Sequence, residues 1–415
     1  MPRAFYLVLG VQFLSTLADN AFLIVAIARV IELSAPGWLV PLLKISFTLF
    51  YVVLAPFVGP LADAFPKGRV MLLANALKVV AMVWLLCGGN PVLAIGLAGL
   101  GSAIYAPAKY GLITELLPAR DLVRANGFFE SATVCAVIFG TVLGGLLVSP
   151  LMPRWASPFP TLVEATHPTA LVAGMLVLLG MNALAMLLSF LVVDSGARYD
   201  AHSIHPLQLI RRFVQENRVL WRDPLGGLSM SVTTLLWGVG ATLQLMVLRW
   251  AHEALGLPLA QAAYLQGITA LGVVAGAIVA SRWVALAHAE RLLPVGLVMG
   301  MLVPLLLCVH SIWTAGALLV LVGALAGFFV VPMNALLQHR GCTLLTAGRS
   351  IAVQGFNENA GMLLMLGVYA TAIAVELPLQ ALVWGFAVMV TGGMALIWWS
   401  RSRAMREQPS LPMTR

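Results

Sequence analysis

Long apolar stretches are the feature that most constrains how this chain can fold. Residues 40–61 and 171–193 are apolar almost throughout, and each is as long as the roughly 20 residues that a helix needs to cross a bilayer. Strands of an outer-membrane barrel would instead alternate apolar and polar residues. Only 10% of the residues are charged, against about 25% in soluble domains. The sequence therefore predicts a helical integral membrane protein.

Twelve such stretches lie between charged or Pro/Gly-containing breaks. The predicted spans are 5–32, 40–63, 70–88, 91–116, 123–148, 169–193, 226–252, 260–284, 291–311, 314–338, 348–375 and 378–400. The first stretch carries Asp19 and is too long for the apolar part of a signal peptide, so we interpret it as the first transmembrane helix.

The basic residues predict the orientation. With both termini in the cytoplasm, 18 of the 24 Lys and Arg lie in cytoplasmic segments, and Arg154 alone lies outside. This asymmetry follows the positive-inside rule. The net charge of +8 then comes from short loops that face an anionic leaflet, and we expect no nucleic-acid partner.

The two halves of the chain resemble each other. Residues 126–132 match residues 354–360 at four positions, and Pro107 lies opposite Pro332. We predict an N-terminal six-helix half at 1–193, a cytoplasmic amphipathic linker at 194–225, a C-terminal six-helix half at 226–403 and a cytoplasmic tail at 404–415. A parallel repeat of this kind is typical of transporters that work by rocking.

The loop between the second and third spans resembles the loop motif of the major facilitator superfamily. Its characteristic residues are Gly59, Asp63, Lys67 and Arg69. Asp63 can accept hydrogen bonds from a neighbouring helix N-terminus, and Lys67 and Arg69 can pair with acidic groups when the inner gate is shut. A plain positive-inside turn is the alternative. We favour gating, because the motif coincides with twelve spans and a repeat.

Ionisable side chains inside the spans indicate the candidate site. A charge at membrane depth costs at least ~2.5–3.5 kcal/mol on insertion scales, so it needs a partner or a wet cavity. Asp19 and Lys109 lie far from any predicted helix end, which favours contact with the transported molecule. A polar stripe leads along the first span to Asp19 and consists of Gln12 and either Ser15 or Thr16. Further polar residues are expected to converge on the same cavity: Lys78, Tyr105, Glu130, Gln244, Gln354, Asn357 and Glu358.

Three of these residues also fit purely structural roles. Glu130 and Glu358 are equivalent in the repeat and could equally be structural carboxylates at helix ends. Lys78 can snorkel or neutralise a neighbouring acid.

Motifs of enzymes are missing from the sequence. No Ser has Gly at both −2 and +2, as a nucleophile elbow requires, and no Lys follows a Gly, as a phosphate-binding loop requires. We expect no catalytic residue, no cofactor and no metal site.

Several segments together resemble the lysophospholipid transporter (LplT) family of the major facilitator superfamily. They are residues 12–20, 55–63, 67–71, 105–111, 125–127, 327–338 and 352–359. The resemblance implies the major facilitator fold, with twelve transmembrane helices in two pseudo-symmetric halves. It also implies movement of lysophosphatidylethanolamine, lysophosphatidylglycerol and related lysolipids from the outer to the inner leaflet of the bacterial inner membrane, by alternating access. Re-acylation there implies an acyltransferase/acyl-ACP synthetase partner at the cytoplasmic face. We expect a monomer surrounded by membrane lipids.

The site residues suit a zwitterionic head group. Lys109 would hold the phosphate and Asp19 the ammonium through charge-assisted hydrogen bonds, and Asn20, Tyr105 and Gln244 complete the predicted head-group set. Lys78, Glu130, Gln354, Asn357 and Glu358 are predicted to line the cavity or couple transport. The chain departs from the family pattern at Gln244, where relatives carry Arg, and Arg249 follows five residues later.

Two other functions fit parts of the sequence. A proton-coupled exporter or symporter of another amphiphilic solute would use Asp19, Glu130 or Glu358, any of which could titrate when desolvated. A subunit or docking partner of a membrane acyltransferase would be the third hypothesis, and the missing motifs argue against catalysis.

Overall fold

The computed structural model describes residues 2–34, 39–148, 169–192, 194–197, 205–257 and 259–407. Within these ranges the chain is helical and contains no strand. The helices are α1 (Arg3–Glu32), α2 (Leu39–Val53), α3 (Ala55–Ala64), α4 (Lys67–Leu86), α5 (Pro91–Leu116), α6 (Leu122–Leu147), α7 (Thr169–Ser189), α8 (Pro206–Arg222), α9 (Pro224–Leu255), α10 (Leu259–Trp283), α11 (Leu293–Leu302), α12 (Ile312–Leu344), α13 (Ala347–Ala374) and α14 (Leu379–Glu407). Arg154 and the loop at 149–168 that was predicted to face outward lie outside the described residues.

The helix ends follow local sequence signals. Asn90 caps α5, because its side-chain oxygen accepts hydrogen bonds from the backbone N–H groups of Val92 and Leu93 at 2.8 and 3.3 Å. Asp223 caps α9 in the same way through Gly226. Proline follows each cap, where its missing N–H costs nothing.

Ten helical segments in the described ranges are long and apolar enough to cross a membrane. An eleventh span results if α2 and α3, which meet at a 64° bend, count as one. The bend falls at Leu54, close to Pro56, whose ring nitrogen cannot donate a backbone hydrogen bond. The helical membrane architecture predicted from the sequence is confirmed.

The span predicted at 348–375 is present as the 28-residue helix α13. Its first half carries Arg349, Gln354, Asn357 and Glu358, and α13 is not among the ten segments that are apolar enough to cross a membrane. That α13 crosses the bilayer stays a prediction.

The chain forms two compact units. Unit 1 contains 1–118, 132–216 and 345–356, and unit 2 contains 119–131, 217–344 and 357–415. Relative to the predicted halves, two segments are exchanged: the start of α6 belongs to unit 2, and the start of α13 belongs to unit 1. The predicted boundaries at 193, 225 and 403 stay predictions. Helix α14 continues to Glu407, so the predicted tail begins as helix.

Unit 1 is packed around apolar side chains. Phe22, Met82, Leu85 and Ile95 are fully buried between α1, α4 and α5. These are the helices that carry Asp19, Lys78 and Lys109, so the apolar core fixes how their polar faces are oriented.

In unit 2, glycines allow α10 and α12 to approach closely. A Cβ on Gly276 would overlap the carbonyl of Ala324, and one on Gly327 would overlap that of Val273. Small residues at such positions are typical of closely packed membrane helices.

Candidate functional site

A short, buried ion pair inside unit 1 joins α1 to α4. The Lys78 ammonium lies 2.5 Å from Asp19 Oδ2, and 2% of the Lys78 side chain is exposed against 11% of the Asp19 side chain. Ser102 on α5 donates a hydrogen bond to the same carboxylate oxygen at 2.9 Å. Lys78 therefore neutralises Asp19, which is one of the two roles that the sequence left open for this lysine.

Two polar atoms beside this ion pair have no hydrogen-bond partner among the residues that the structure describes. Asp19 Oδ1 and the Tyr105 hydroxyl are buried, and neither forms a hydrogen bond within the described ranges. The Lys78 ammonium lies 5.5 Å from the centre of the Tyr105 ring. An unsatisfied buried polar atom costs about 1–3 kcal/mol, and these two atoms leave hydrogen-bonding capacity unused within the described part of the chain.

A second cation, Lys109, lies one helical turn after Tyr105 on α5. Lys109 donates a hydrogen bond to Gln12 Oε1 at 2.9 Å. Its ammonium lies 4.0 Å from the Tyr110 ring centre and 6.0 Å from that of Tyr105. Gln12 in turn donates to Thr133 on α6 at 3.1 Å. Tyr105 is thus the residue that links the two lysines, since both ammonium groups face its ring.

A buried chain of hydrogen bonds supports the ion pair from behind. Lys78 donates to Ser15 at 2.9 Å, Ser15 donates to Asn75 at 3.0 Å, and Asn75 donates to Ser189 at 3.0 Å. Ser15 precedes Asp19 by four residues, so both side chains lie on one face of α1. The polar stripe predicted either Ser15 or Thr16 at this place, and Ser15 is the residue that Lys78 contacts. No sequence signal identified Asn75 or Ser189.

Other predicted head-group residues have partners elsewhere. Asn20 donates to the Thr16 carbonyl of its own helix at 2.8 Å. Gln244 belongs to unit 2, where it is exposed and donates to Gln266 at 3.2 Å. Arg249 pairs with Glu253 at 2.6 Å. The roles predicted for Asn20 and Gln244 at the head group stay predictions.

The remaining cavity residues are divided between the units. Gln354 is buried in unit 1. In unit 2, Asn357 donates to Asn217 at 3.1 Å and accepts from the Trp221 indole at 3.0 Å. Glu130 and Glu358 lie half-buried on α6 and α13, and their coupling role stays a prediction.

The loop motif has the contact that the sequence predicted for Asp63. Its carboxylate accepts hydrogen bonds from the Gly348 backbone N–H, at 2.9 Å, and from the Thr346 hydroxyl, at the N-terminus of α13. An aspartate at this position is stabilised by the helix dipole. A Cβ on Gly59 would lie 2.8 Å from the Arg349 Cα, so only glycine permits this approach.

The basic residues of the motif behave differently from each other. Lys67 pairs with Asp63 at 3.1 Å and with Glu115 at 3.2 Å. Arg69 is exposed and forms no ion pair with any residue in the described ranges. Of the two, Lys67 alone makes acidic contacts with the part of the chain that the structure describes, although the sequence predicted such contacts for both.

The linker also takes part in this network, which sequence reasoning missed. Ser195 donates to Glu115 at 2.5 Å. Glu216 on α8 pairs with Arg349 at 3.0 Å and with Arg212 at 3.2 Å. Burial raises the pKa of Glu216, and the two arginines lower it by less. No motif marks these residues, so only the i, i+4 spacing of Arg212 and Glu216 could have suggested part of the network.

Comparison with known proteins agrees with this architecture. The family model described as Major Facilitator Superfamily matches residues 8–365. The solved E. coli fucose:proton symporter superposes with a TM-score of 0.73 at 13% identity, covering 96% of this chain and 98% of that one. A bacterial homologue of the iron transporter ferroportin, in an outward-facing state, gives 0.71 at 14% identity, covering 97% and 100%. At such identities the likeness concerns the fold alone.

Closer relatives cover nearly the whole chain. The lysophospholipid transporter LplT of Pectobacterium carotovorum is 39% identical over 90% of this chain and 87% of its own length. LplT of Serratia proteamaculans is 37% identical over 97% of both chains, and LplT of Salmonella arizonae is 39% identical over 96% of both. The chain therefore belongs to the LplT family within the Major Facilitator Superfamily.

Proposed function

We propose that this protein is a lysophospholipid transporter that moves lysolipids from the outer to the inner leaflet of the bacterial inner membrane by alternating access, without a chemical step. The relatives named as lysophospholipid transporters support this function over a proton-coupled carrier of another solute. They equally favour transport over a role as an acyltransferase subunit.

The observation that carries the proposal is the unused hydrogen-bonding capacity beside the Asp19–Lys78 ion pair. Lysolipid head groups such as ethanolamine and glycerol offer N–H or O–H donors, which Asp19 Oδ1 can accept. The Tyr105 hydroxyl can donate to, or accept from, the same head group. Lys78 already neutralises Asp19. The carboxylate therefore acts on the head group mainly as a hydrogen-bond acceptor and not as a net negative charge.

The phosphate of the head group is assigned to Lys109. Gln12 orients its ammonium beside the Tyr105 ring, and an ammonium binds a phosphate diester through charge-assisted hydrogen bonds. Counting Asp19, Lys78 and Lys109, the group carries one net positive charge, which suits a diester with one negative charge.

The test is inward movement of a labelled lysolipid in spheroplasts that carry correctly inserted variants. We expect Asp19→Asn, Tyr105→Phe and Lys109→Gln to slow uptake. Thr141→Ala is the matched control, because this exposed hydroxyl donates to the Val137 carbonyl of its own helix. Normal uptake by both Asp19→Asn and Lys109→Gln would refute the site.

Proton coupling distinguishes our proposal from the alternative function, a proton-coupled carrier of another solute. In liposomes, proton movement induced by a hydrophilic solute, and unaffected by lysolipid, would support the proton-coupled carrier and overturn our proposal.

We further propose that both termini are cytoplasmic and that the protein acts as a monomer, delivering its lipid to an acyltransferase/acyl-ACP synthetase at the cytoplasmic face. The excess of basic residues in the predicted inner loops supports the orientation. A C-terminal reporter that is fluorescent only in the cytoplasm tests the topology, and a C-terminal alkaline phosphatase fusion with high activity would contradict it.

A further inference from the structure

Helix α8 has a buried face that is already used for packing. Phe213 packs edge-on against Phe356 with ring centres 5.3 Å apart, Glu216 pairs with Arg349, and Leu220 is fully buried. On α8, residues 213, 216 and 220 recur at i, i+3 and i+7, and so they lie on one side of the helix.

A second apolar stripe runs along another side of α8 and is exposed. It consists of Leu207, Ile210, Val214 and Trp221, at i, i+3, i+7 and i+14, which are 73%, 42%, 55% and 41% exposed. Four large apolar side chains in one row would be costly to leave in water, since burying a side chain of this size is worth about 1.5–3 kcal/mol. We therefore expect another molecule to shield the stripe from water.

A row of arginines borders this stripe. Arg211, Arg218 and Arg222 recur at i, i+7 and i+11 and are exposed. Apolar residues flanked by basic ones on a polar helix are typical of helices that lie in the membrane interface, with arginines reaching lipid phosphates.

Chain continuity indicates which surface covers the stripe. Trp221 stands three residues before Pro224, the first residue of the 32-residue helix α9, which is long and apolar enough to span the bilayer. The C-terminal end of α8 is therefore held at the level where a membrane span begins. Tryptophan is also enriched at that depth.

We propose that the stripe of Leu207, Ile210, Val214 and Trp221, with its bordering arginines, is a docking surface for anionic phospholipids of the leaflet at the α8 end of α9. The apolar side chains enter the boundary between head groups and acyl chains. The arginines bind the phosphates, and the binding strength depends on the content of anionic lipid.

The experiment places an environment-sensitive fluorophore on the full-length protein in vesicles. The four native cysteines are replaced by alanine, and Val214→Cys or Gln215→Cys receives the label. Gln215 is the matched control, because it is exposed and lies about 100° farther round the same helix. Vesicles contain phosphatidylethanolamine with either phosphatidylglycerol or phosphatidylcholine, and the readouts are quenching by iodide from water and by spin-labelled acyl chains.

With phosphatidylglycerol we expect iodide quenching at position 214 to be several-fold weaker than at position 215, and acyl-chain quenching to be stronger. Replacing phosphatidylglycerol by phosphatidylcholine should largely remove this difference, as should Arg211→Gln with Arg218→Gln. Arg282→Gln with Arg291→Gln removes the same charge from other exposed positions and should leave the difference intact.

Three results would overturn the proposal. Equal iodide quenching at positions 214 and 215 would show that water, and not lipid, covers the stripe. Protection at position 214 that is independent of anionic lipid and of the two arginines would exclude an anionic-lipid surface. Protection from iodide at position 214 without quenching by spin-labelled acyl chains would identify a protein contact instead. None of these readouts depends on transport activity, so their failure is distinct from failure of the proposed function.

Discussion

Replacing Lys78 by methionine tests the buried ion pair most directly. In Lys78→Met, Asp19 keeps the hydrogen bond from Ser102, at 2.9 Å, and loses the ammonium at 2.5 Å. Removing one partner of a buried pair costs about 3–5 kcal/mol, because the other charge stays buried without compensation. We therefore expect a large fall in the thermal stability of the purified protein.

The other single variant should be milder. In Asp19→Asn the new amide still offers an oxygen to Lys78, and Ser15 continues to accept a hydrogen bond from the ammonium at 2.9 Å. The double variant Asp19→Asn with Lys78→Met leaves no buried charge at this place, so it should be more stable than Lys78→Met alone. In a double-mutant cycle the two substitutions should be strongly non-additive.

The assay is the unfolding temperature in detergent, followed by the fluorescence of a thiol-reactive dye, with Thr141→Ala as the control variant. The reasoning would be refuted if Lys78→Met unfolded at the wild-type temperature. It would also be refuted if the losses of the two single variants added up in the double variant, because the pair would then contribute no coupling.

Three further predictions concern the residues around the site. Gln12→Leu removes the acceptor that orients Lys109 and should slow lysolipid uptake more than Thr133→Ala, which leaves that contact in place; equal rates would contradict the positioning role. Gly59→Ala should destabilise the protein by about 1–3 kcal/mol through overpacking, because its Cβ would lie 2.8 Å from the Arg349 Cα, whereas Gly145→Ala meets nothing within 4 Å and should be neutral. Burial raises the pKa of the Glu216 carboxyl group from 4.5. The folded protein therefore binds a proton at Glu216 at a higher pH than the unfolded chain does. As the pH falls through the folded pKa, the charged carboxylate, which burial disfavours, is replaced by the neutral acid. As the pH falls from neutral towards 4.5, the unfolding temperature of the wild type should therefore rise relative to that of Glu216→Gln. Parallel pH curves of the two proteins would disprove this linkage.

The fold could be predicted because it depends on patterns that are local in the sequence. Each apolar stretch predicts a helix by its length. The 64° bend between α2 and α3 was not predicted, because the stretch 40–63 is apolar almost throughout its length. The contact of Asp63 with a helix N-terminus was predictable as well, because the loop motif fixes the residue types that it requires. Helix α13 was predicted from the stretch 348–375, and the repeat of residues 126–132 at 354–360 agrees with that placement.

The site was only partly predictable. Asp19, Lys78 and Lys109 stand out as charges in apolar helices, but their pairing depends on how α1, α4 and α5 are rotated. Lys78 lies 59 residues from Asp19 and Lys109 lies 97 residues from Gln12, and no spacing rule relates such positions. Ser102 was missed because small uncharged polar residues also occur in spanning helices without any role.

The exchange of short segments between the units affects whether the protein could be encoded as two separate halves. The start of α6 belongs to unit 2, and the start of α13 belongs to unit 1. Two genes that divide the chain at the linker would each encode a half that lacks part of a compact unit. Each half would depend on the other for its missing piece, so the halves should accumulate when they are synthesised together and be degraded when either is produced alone. A tandem duplication of an ancestral half would in this way have become difficult to reverse.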